Sequence, residues 1–196
     1  MKKSTWEEMI MKTSENGKNM IKRYEGLRLT SYKAHKSEIF YTIGYGHYGA
    51  DVGMGAVITR ERANELFDKD IVKYENAVNK LNMQLTQNQF DALVSFTYNC
   101  GTANLKRLVK GRTKGQIADA LLLYNKAGGQ TLAGLTRRRK EERALFMKEE
   151  NLEKIAREVI DGKWGNGRQR KEKLIAAGYN YTEVQKMVNN ILTGNK

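Results

Sequence analysis

The sequence predicts an α+β chain that ends in a small all-α module. Three observations lead there. Apolar residues recur at helical spacing behind helix-start signals along most of the chain. Strand character is concentrated in residues 28–46. Near residue 148 the text changes: a charged junction poor in apolar residues gives way to a new set of short amphipathic helices.

Taken in order, four segments have capping-box spacing: Ser4-x-x-Glu7, Thr86-x-x-Gln89, Thr113-x-x-Gln116 and Thr182-x-x-Gln185. The segment ENGKNMIKRYEG reads as a helix ending at Glu25-Gly26. The stretch SEIFYTIGYGH, residues 37–47, reads as a strand running into glycines. Alternation places Ile39, Tyr41, Ile43 and Tyr45 on one face, and Phe40, Thr42, Gly44 and Gly46 on the other. After Thr59, a long helix carries a stripe of Ala63, Leu66, Phe67, Ile71 and Val78, with Asp70 and Tyr74 in phase. After Thr86, Phe90, Leu93, Val94 and Thr97 share a face, and Gly101 is placed to end that helix. Ile117, Ala120, Leu121 and Tyr124 repeat the pattern behind Thr113. A further helix is expected from about Leu135 through Phe146. Its basic run, Arg137, Arg138 and Arg139, reads as mostly solvated or paired with Glu141 and Glu142. From MKEENLEKIAREVIDG onward, three short helices make a minimal bundle. The expected domains are residues 1–148, of which 1–10 are an extension, and residues 149–196.

The composition narrows the function. Hydrophobic residues make up 40% of the 196, enough for a core, and charged residues 29%. No apolar run approaches the roughly 18 residues of a membrane span, so no stable membrane insertion is expected. Glu7 and Glu8 interrupt the N-terminal stretch, so no secretory signal is expected either. A lone cysteine, Cys100, rules out an internal disulfide and falls in the apolar phase of a helix, as an inert buried thiol would. Net charge is +13, which implies a polyanionic partner. Nucleic acid and a cell wall carrying phosphate and carboxylate are both candidates, and charge alone does not choose between them. No helix pairs a continuous basic face with a nucleic-acid motif, so no nucleic acid is expected. With two histidines and no ligand-type cluster, neither a metal nor a cofactor is expected; His47 reads as a structural histidine behind the site.

Candidate catalytic residues gather near the strand. Glu25 sits at a helix C-terminus, where the negative dipole end favours a carboxyl that keeps its proton, as a general acid must; the plain alternative is a solvated residue in a frayed turn. Thr42 points to a face that the neighbouring glycines leave nearly bare, which fits a ligand-facing hydroxyl or simply strand propensity.

The motifs YEGLRLTSYK, YTIGYGH, LTQNQFDALVSFTYNCG and GLTRRRKEERALF, in that order, resemble the phage-type lysozymes of glycoside hydrolase family 24 over about residues 11–148. The resemblance implies a two-lobed lysozyme-like fold, with a small sheet lobe facing a helical lobe across a glycan cleft. It implies hydrolysis of the β-1,4 bond between N-acetylmuramic acid and N-acetylglucosamine, with Glu25 and Thr42 matching the family's site. Where the family pattern places its second acid, this chain has Ala34, and the hairpin before YTIGYGH is longer. Glu38 is the natural substitute as the base of an inverting enzyme, Asp51 its rival. If neither serves, Glu25 acts alone, as in a lytic transglycosylase, or the protein is a catalytically weak wall binder.

The tail, with AREVIDGKWGNG, Arg170, AAGY and VQ, resembles the CW_7 cell-wall-binding repeat over about residues 150–192. That implies binding of peptidoglycan strands and muropeptides, with Asp161, Trp164, Arg170 and Tyr179 as the candidate contacts. Trp164 and Tyr179 can equally be the core of a tiny bundle. A single copy implies modest affinity or a homodimer through this module. A phage lysin of this kind would wait in the host cytoplasm for a holin to open the membrane.

Overall fold

A computed structural model describes residues 10–177 and 179–194, the side chain of residue 150 excepted. The Ser4-x-x-Glu7 signal lies outside the described residues. The chain divides into two compact units, with the boundary between Phe146 and Met147. The class is α+β.

In the first unit, helix α1 (Glu15–Glu25) starts at Ser14, whose hydroxyl accepts from Gly17 N. Strands β1 (Arg28–Tyr32), β2 (Tyr41–Gly44) and β3 (His47–Gly49) form one antiparallel sheet in sequential order. The long helices α2 (Arg60–Asn79) and α3 (Gln87–Val109) follow, capped by Thr59 and Thr86. Helix α4 (Lys114–Leu121) is capped by Thr113. A two-residue-per-strand hairpin, β4 (Lys126–Ala127) and β5 (Gln130–Thr131), leads into α5 (Ala133–Phe146).

Helix α3 is the hub and packs against α1, α2, α4 and α5. Its Phe90, Leu93, Val94 and Phe96 are fully buried, as the apolar periodicity requires. The small sheet has a core of its own: Ile43, Val52 and Leu66, with Tyr41, Ala56 and Ile58 against it. Tyr41 and Ile43 therefore share a buried face, as strand alternation predicts.

Gly101 ends the first helical run of α3 as expected: its φ +79° and ψ +164° break the helical backbone, and a second run continues to Val109. Three expectations are corrected. The β2 strand begins only at Tyr41, and Ile39, placed with the packing face, is 79% exposed. Arg138 and Arg139 are not solvated but buried. Cys100 is half-buried rather than enclosed.

The second unit is three helices, α6 (Lys148–Ile160), α7 (Gly167–Ala176) and α8 (Tyr181–Thr193). Asn180, rather than Thr182, caps α8 by accepting from Thr182 N and Glu183 N. Ile155, Ala156, Val159, Leu174, Val184 and Val188 form its core. Among the described residues no helix is long and apolar enough to cross a membrane.

The chain entering α1 is fastened to α2 and to the hub. Thr13 N donates to Glu75 Oε1 at 2.8 Å, and Ser14 N to Asp91 Oδ1 at 3.0 Å. This closeness forbids a side chain at Gly17, where a Cβ would stand 2.7 Å from Asp91 Cγ and 2.8 Å from Thr13 Cγ2. Gly17→Ala should cost about 1–3 kcal/mol in urea unfolding. Gly115→Ala in α4, where a Cβ meets nothing within 4 Å, should be neutral or stabilise by about 0.4–1 kcal/mol.

Candidate active site

Glu25 is the last residue of α1, and Gly26 with φ +72° turns the chain away into β1. Among the described residues its carboxylate is held from one side only. Arg138 Nη1 donates to Glu25 Oε1 at 2.8 Å. The other oxygen, Oε2, stands 4.0 Å from where a Cβ of Gly46 would be. Glu25 thus presents one free oxygen near the turn between β2 and β3. It borders a cleft of about 750 Å³ that is also lined by Asn99, Leu132, Leu135, Arg138 and Glu141.

Arg138 is fixed from below. Its Nε donates to Glu142 Oε1 at 3.1 Å and its Nη2 to Ser95 O at 3.2 Å. Glu142, fully buried, also accepts from Ser95 Oγ at 2.7 Å and Arg139 Nη2 at 3.1 Å. Burial pushes the Glu142 carboxyl up against the pull of Arg139 and Arg138. Arg139 further donates to Asn99 Oδ1 at 3.0 Å and contacts Cys100 Sγ, a thiol that burial pushes up. Beside the cleft, Tyr24 donates to Glu141, which also pairs with Arg23. Burial and then that hydrogen bond push the Tyr24 phenol up to about 12.

Thr42 is paired in register with Tyr32 on one side and Tyr48 on the other, so the three share a face, opposite Ile43. It is 9% exposed, and its hydroxyl has no hydrogen-bond partner among the described residues. The bareness expected around it is partly filled. Gly44 has φ +65° and makes room for α2: a Cβ there would stand 3.4 Å from Ala63 Cβ. Phe40 and Tyr48 form an edge-on pair at 5.7 Å.

Both candidate bases are engaged. Glu38 Oε2 accepts from the backbone N–H of Ala34 at 2.9 Å, closing its own loop. Asp51 lies 3.0 Å from His47 Nε2, while Asp70 lies 2.8 Å from His47 Nδ1. This clamp gives His47 a structural role. Burial alone would lower the imidazolium's pKa, but the hydrogen bonds to Asp70 and Asp51 outweigh it and hold it above the ordinary 6.5. The hydrogen bond to His47 in turn holds Asp51 below its ordinary 3.8.

In the second unit the ring of Trp164 meets Tyr179 edge-on at 5.8 Å and packs against the core, and its Nε1 donates to Glu158 Oε2 at 3.0 Å. Arg170 Nε donates to Gly165 O at 3.1 Å and so braces the loop that carries Trp164. Asp161 ends α6, pairs with Lys163 at 3.4 Å and borders a shallow groove of about 440 Å³ with Arg157 and Glu158. Sequence reasoning missed Glu158, and it missed the burial of Arg138. The Arg138–Glu142 spacing was visible, but it indicates pairing and not depth.

Two outcomes are expected. Glu142→Ala leaves two buried guanidiniums without their shared carboxylate and should cost about 3–5 kcal/mol in unfolding free energy. The clamp's contribution from His47 is complete below about pH 6.5 and is lost as pH rises through the raised folded value; that from Asp51 is lost as pH falls through its depressed one. Thermal midpoints should therefore decline as pH rises above about 6.5, a decline that Asp70→Asn flattens.

Residues 22–142 match the family model described as phage lysozyme, and residues 153–192 match the CW_7 repeat. The endolysin of Bacillus phage B103 is 44% identical over 155 residues, covering 76% of this chain and 59% of its own length. The chain thus spans less than two thirds of that relative. The endolysin of Acyrthosiphon pisum secondary endosymbiont phage 1 is 39% identical over 69% of this chain and 98% of its own. Among solved structures, the muramidase domain of SpmX from Asticaccaulis excentricus superposes with a TM-score of 0.61 at 38% identity, covering 69% of this chain and 97% of that domain. The first unit thus shares its fold with these proteins, and the chain belongs to the phage lysozyme family and carries a CW_7 repeat behind its lysozyme unit.

Proposed function

We propose that the protein is an endolysin that cleaves the β-1,4 bond between N-acetylmuramic acid and N-acetylglucosamine in bacterial peptidoglycan, with Glu25 as the general acid. The observation that carries this reading is the asymmetry of Glu25. Arg138 holds Oε1, Oε2 stands by Gly46 at the turn between β2 and β3, and Glu25 borders the cleft. A proton on Oε2 can be given to the glycosidic oxygen of a bound strand as the bond to the sugar's anomeric carbon breaks. The oxocarbenium-like ring is then attacked by water. Thr42 Oγ1 orients that water, and Glu38, released from Ala34 N, accepts its proton. An inverting enzyme needs about 6.5–9.5 Å between the two carboxyl groups to leave room for the water. Asp51 is the alternative base, at the expense of its bond to His47.

A second reading is supported by the engagement of both bases. With Glu38 tied to Ala34 and Asp51 to His47, Glu25 can act alone: after protonating the leaving group it takes the proton of the sugar's own 6-hydroxyl, which closes on the anomeric carbon.

The CW_7 module is proposed to hold the wall through Asp161, Trp164, Arg170 and Tyr179, as a monomer or a homodimer, and so to raise the enzyme's effective concentration on a polymeric substrate. Before lysis the protein is proposed to wait in the host cytoplasm until a holin opens the membrane.

Mass spectrometry of products from purified peptidoglycan separates the readings. Reducing N-acetylmuramic acid ends are expected for hydrolysis. Ends in the 1,6-anhydro form would establish the second reading. No products, with wall binding intact, would leave a wall-binding protein on a lysozyme fold. Glu25→Gln should abolish product release while sedimentation with walls persists. Glu38→Gln should slow hydrolysis by about 10²–10⁴-fold, and an unchanged rate would remove it from the mechanism.

A further inference from the structure

We infer that the far end of α3 and the start of α4 form a docking surface for a phosphodiester polymer of the cell wall, separate from the cleft. Past the kink at Gly101, Leu105 and Leu108 face the core while Lys106, Arg107 and Lys110 are exposed. Gly111, with φ +68°, turns the chain. Arg112 folds back, its Nη1 donating to Arg107 O at 2.6 Å and Leu108 O at 2.9 Å. That anchors its guanidinium beside the lysines. Lys114 opens α4.

Nothing local neutralises these five cations. The sequence has no acidic residue between Asp91 and Asp119, and Arg143 already occupies Asp119 at 2.7 Å. None of the five pairs with a carboxylate among the described residues, whereas exposed arginines on other helices do: Arg62 with Glu65, Arg157 with Glu153, Arg168 with Glu172. The negative end of α3 suits Lys106 and Arg107, but a cation at the first position of α4 opposes that helix's dipole. Helix stability therefore accounts for cations at the end of α3 but not for Lys114, nor for the lack of any acidic residue between Asp91 and Asp119.

The chemistry of the surface selects the partner. Lys106 and Lys110 are one turn apart, about 6 Å along the axis, which presents a repeating row of charge. There is no aromatic residue between Tyr98 and Tyr124, so neither nucleobases nor sugar rings have a face to stack on. A flexible polyol-phosphate chain offers regularly spaced phosphates and asks for nothing else. The choice of a wall polymer rests on the proposed wall-lytic function.

The test uses the full chain with Glu25→Gln, so that walls stay intact. Walls bearing poly(glycerol phosphate) are compared with the same walls stripped by hydrofluoric acid. At low salt, binding to the intact walls should be at least about tenfold tighter, with a salt slope that each neutralised phosphate steepens by about 0.7–0.9. Replacing Lys106, Arg107 and Lys110 by Gln should remove the preference and flatten the slope by about 2. The same charge removed at Lys36, Lys69 and Lys80 should leave both in place. Equal binding to intact and stripped walls would overturn the proposal. So would a preference that survives the first triple variant or is lost equally in the second. A first variant that loses binding only to phosphatidylglycerol vesicles or duplex DNA would do the same. Product release from stripped peptidoglycan by the chain with Glu25 intact tests the proposed function separately.

Discussion

The buried Arg138–Glu142 pair is the constraint on which the first unit's site depends. A guanidinium out of water is tolerable only when its donors all find acceptors. Arg138 meets that demand by reaching three elements at once: Glu142 on its own helix, the Ser95 carbonyl on α3 and Glu25 at the end of α1. The same demand that makes the cluster costly to break makes it directional. Glu25 cannot turn without leaving a buried charge short of a partner, so one of its oxygens is committed and the other is not.

A similar logic governs the small sheet. Its buried face is filled by Ile43, Val52 and Leu66, and Gly44, whose φ of +65° favours glycine, lies against Ala63 of α2. The sheet is thereby set against α2. His47, held by Asp51 and Asp70 together, fastens the β3 end to the same helix. Thr42 sits between Tyr32 and Tyr48 with its hydroxyl uncommitted, while the carboxylates nearest to it in sequence are engaged. The absence of an acid at Ala34 is thus matched by a loop in which Glu38 binds the Ala34 backbone itself.

The C-terminal unit solves a different problem. Three short helices bury few residues, and small bundles are marginal. Its largest aromatic, Trp164, serves two ends: the ring packs beside Tyr179 and the core, and the indole N–H reaches Glu158 at the surface. Arg170 braces the loop around it. The aromatic residues are only half-buried, so packing leaves part of each ring for the proposed wall contact.

The sequence by itself determined what is local. Capping boxes at Thr86 and Thr113 set the helix starts, period-two alternation put Tyr41 and Ile43 on a buried face, and Glu25-Gly26 marked the end of α1. These depend on hydrogen bonds and spacings within a few residues, which the order of residues encodes directly. Only the tertiary structure decided that Arg138 and Arg139 are buried, and that a second helical run follows the break at Gly101. Glu25 and Arg138 are 113 residues apart in the chain. A charge run such as Arg137–Arg139 looks the same in sequence whether solvated or enclosed, because burial is set by what other elements pack over it and not by its own period.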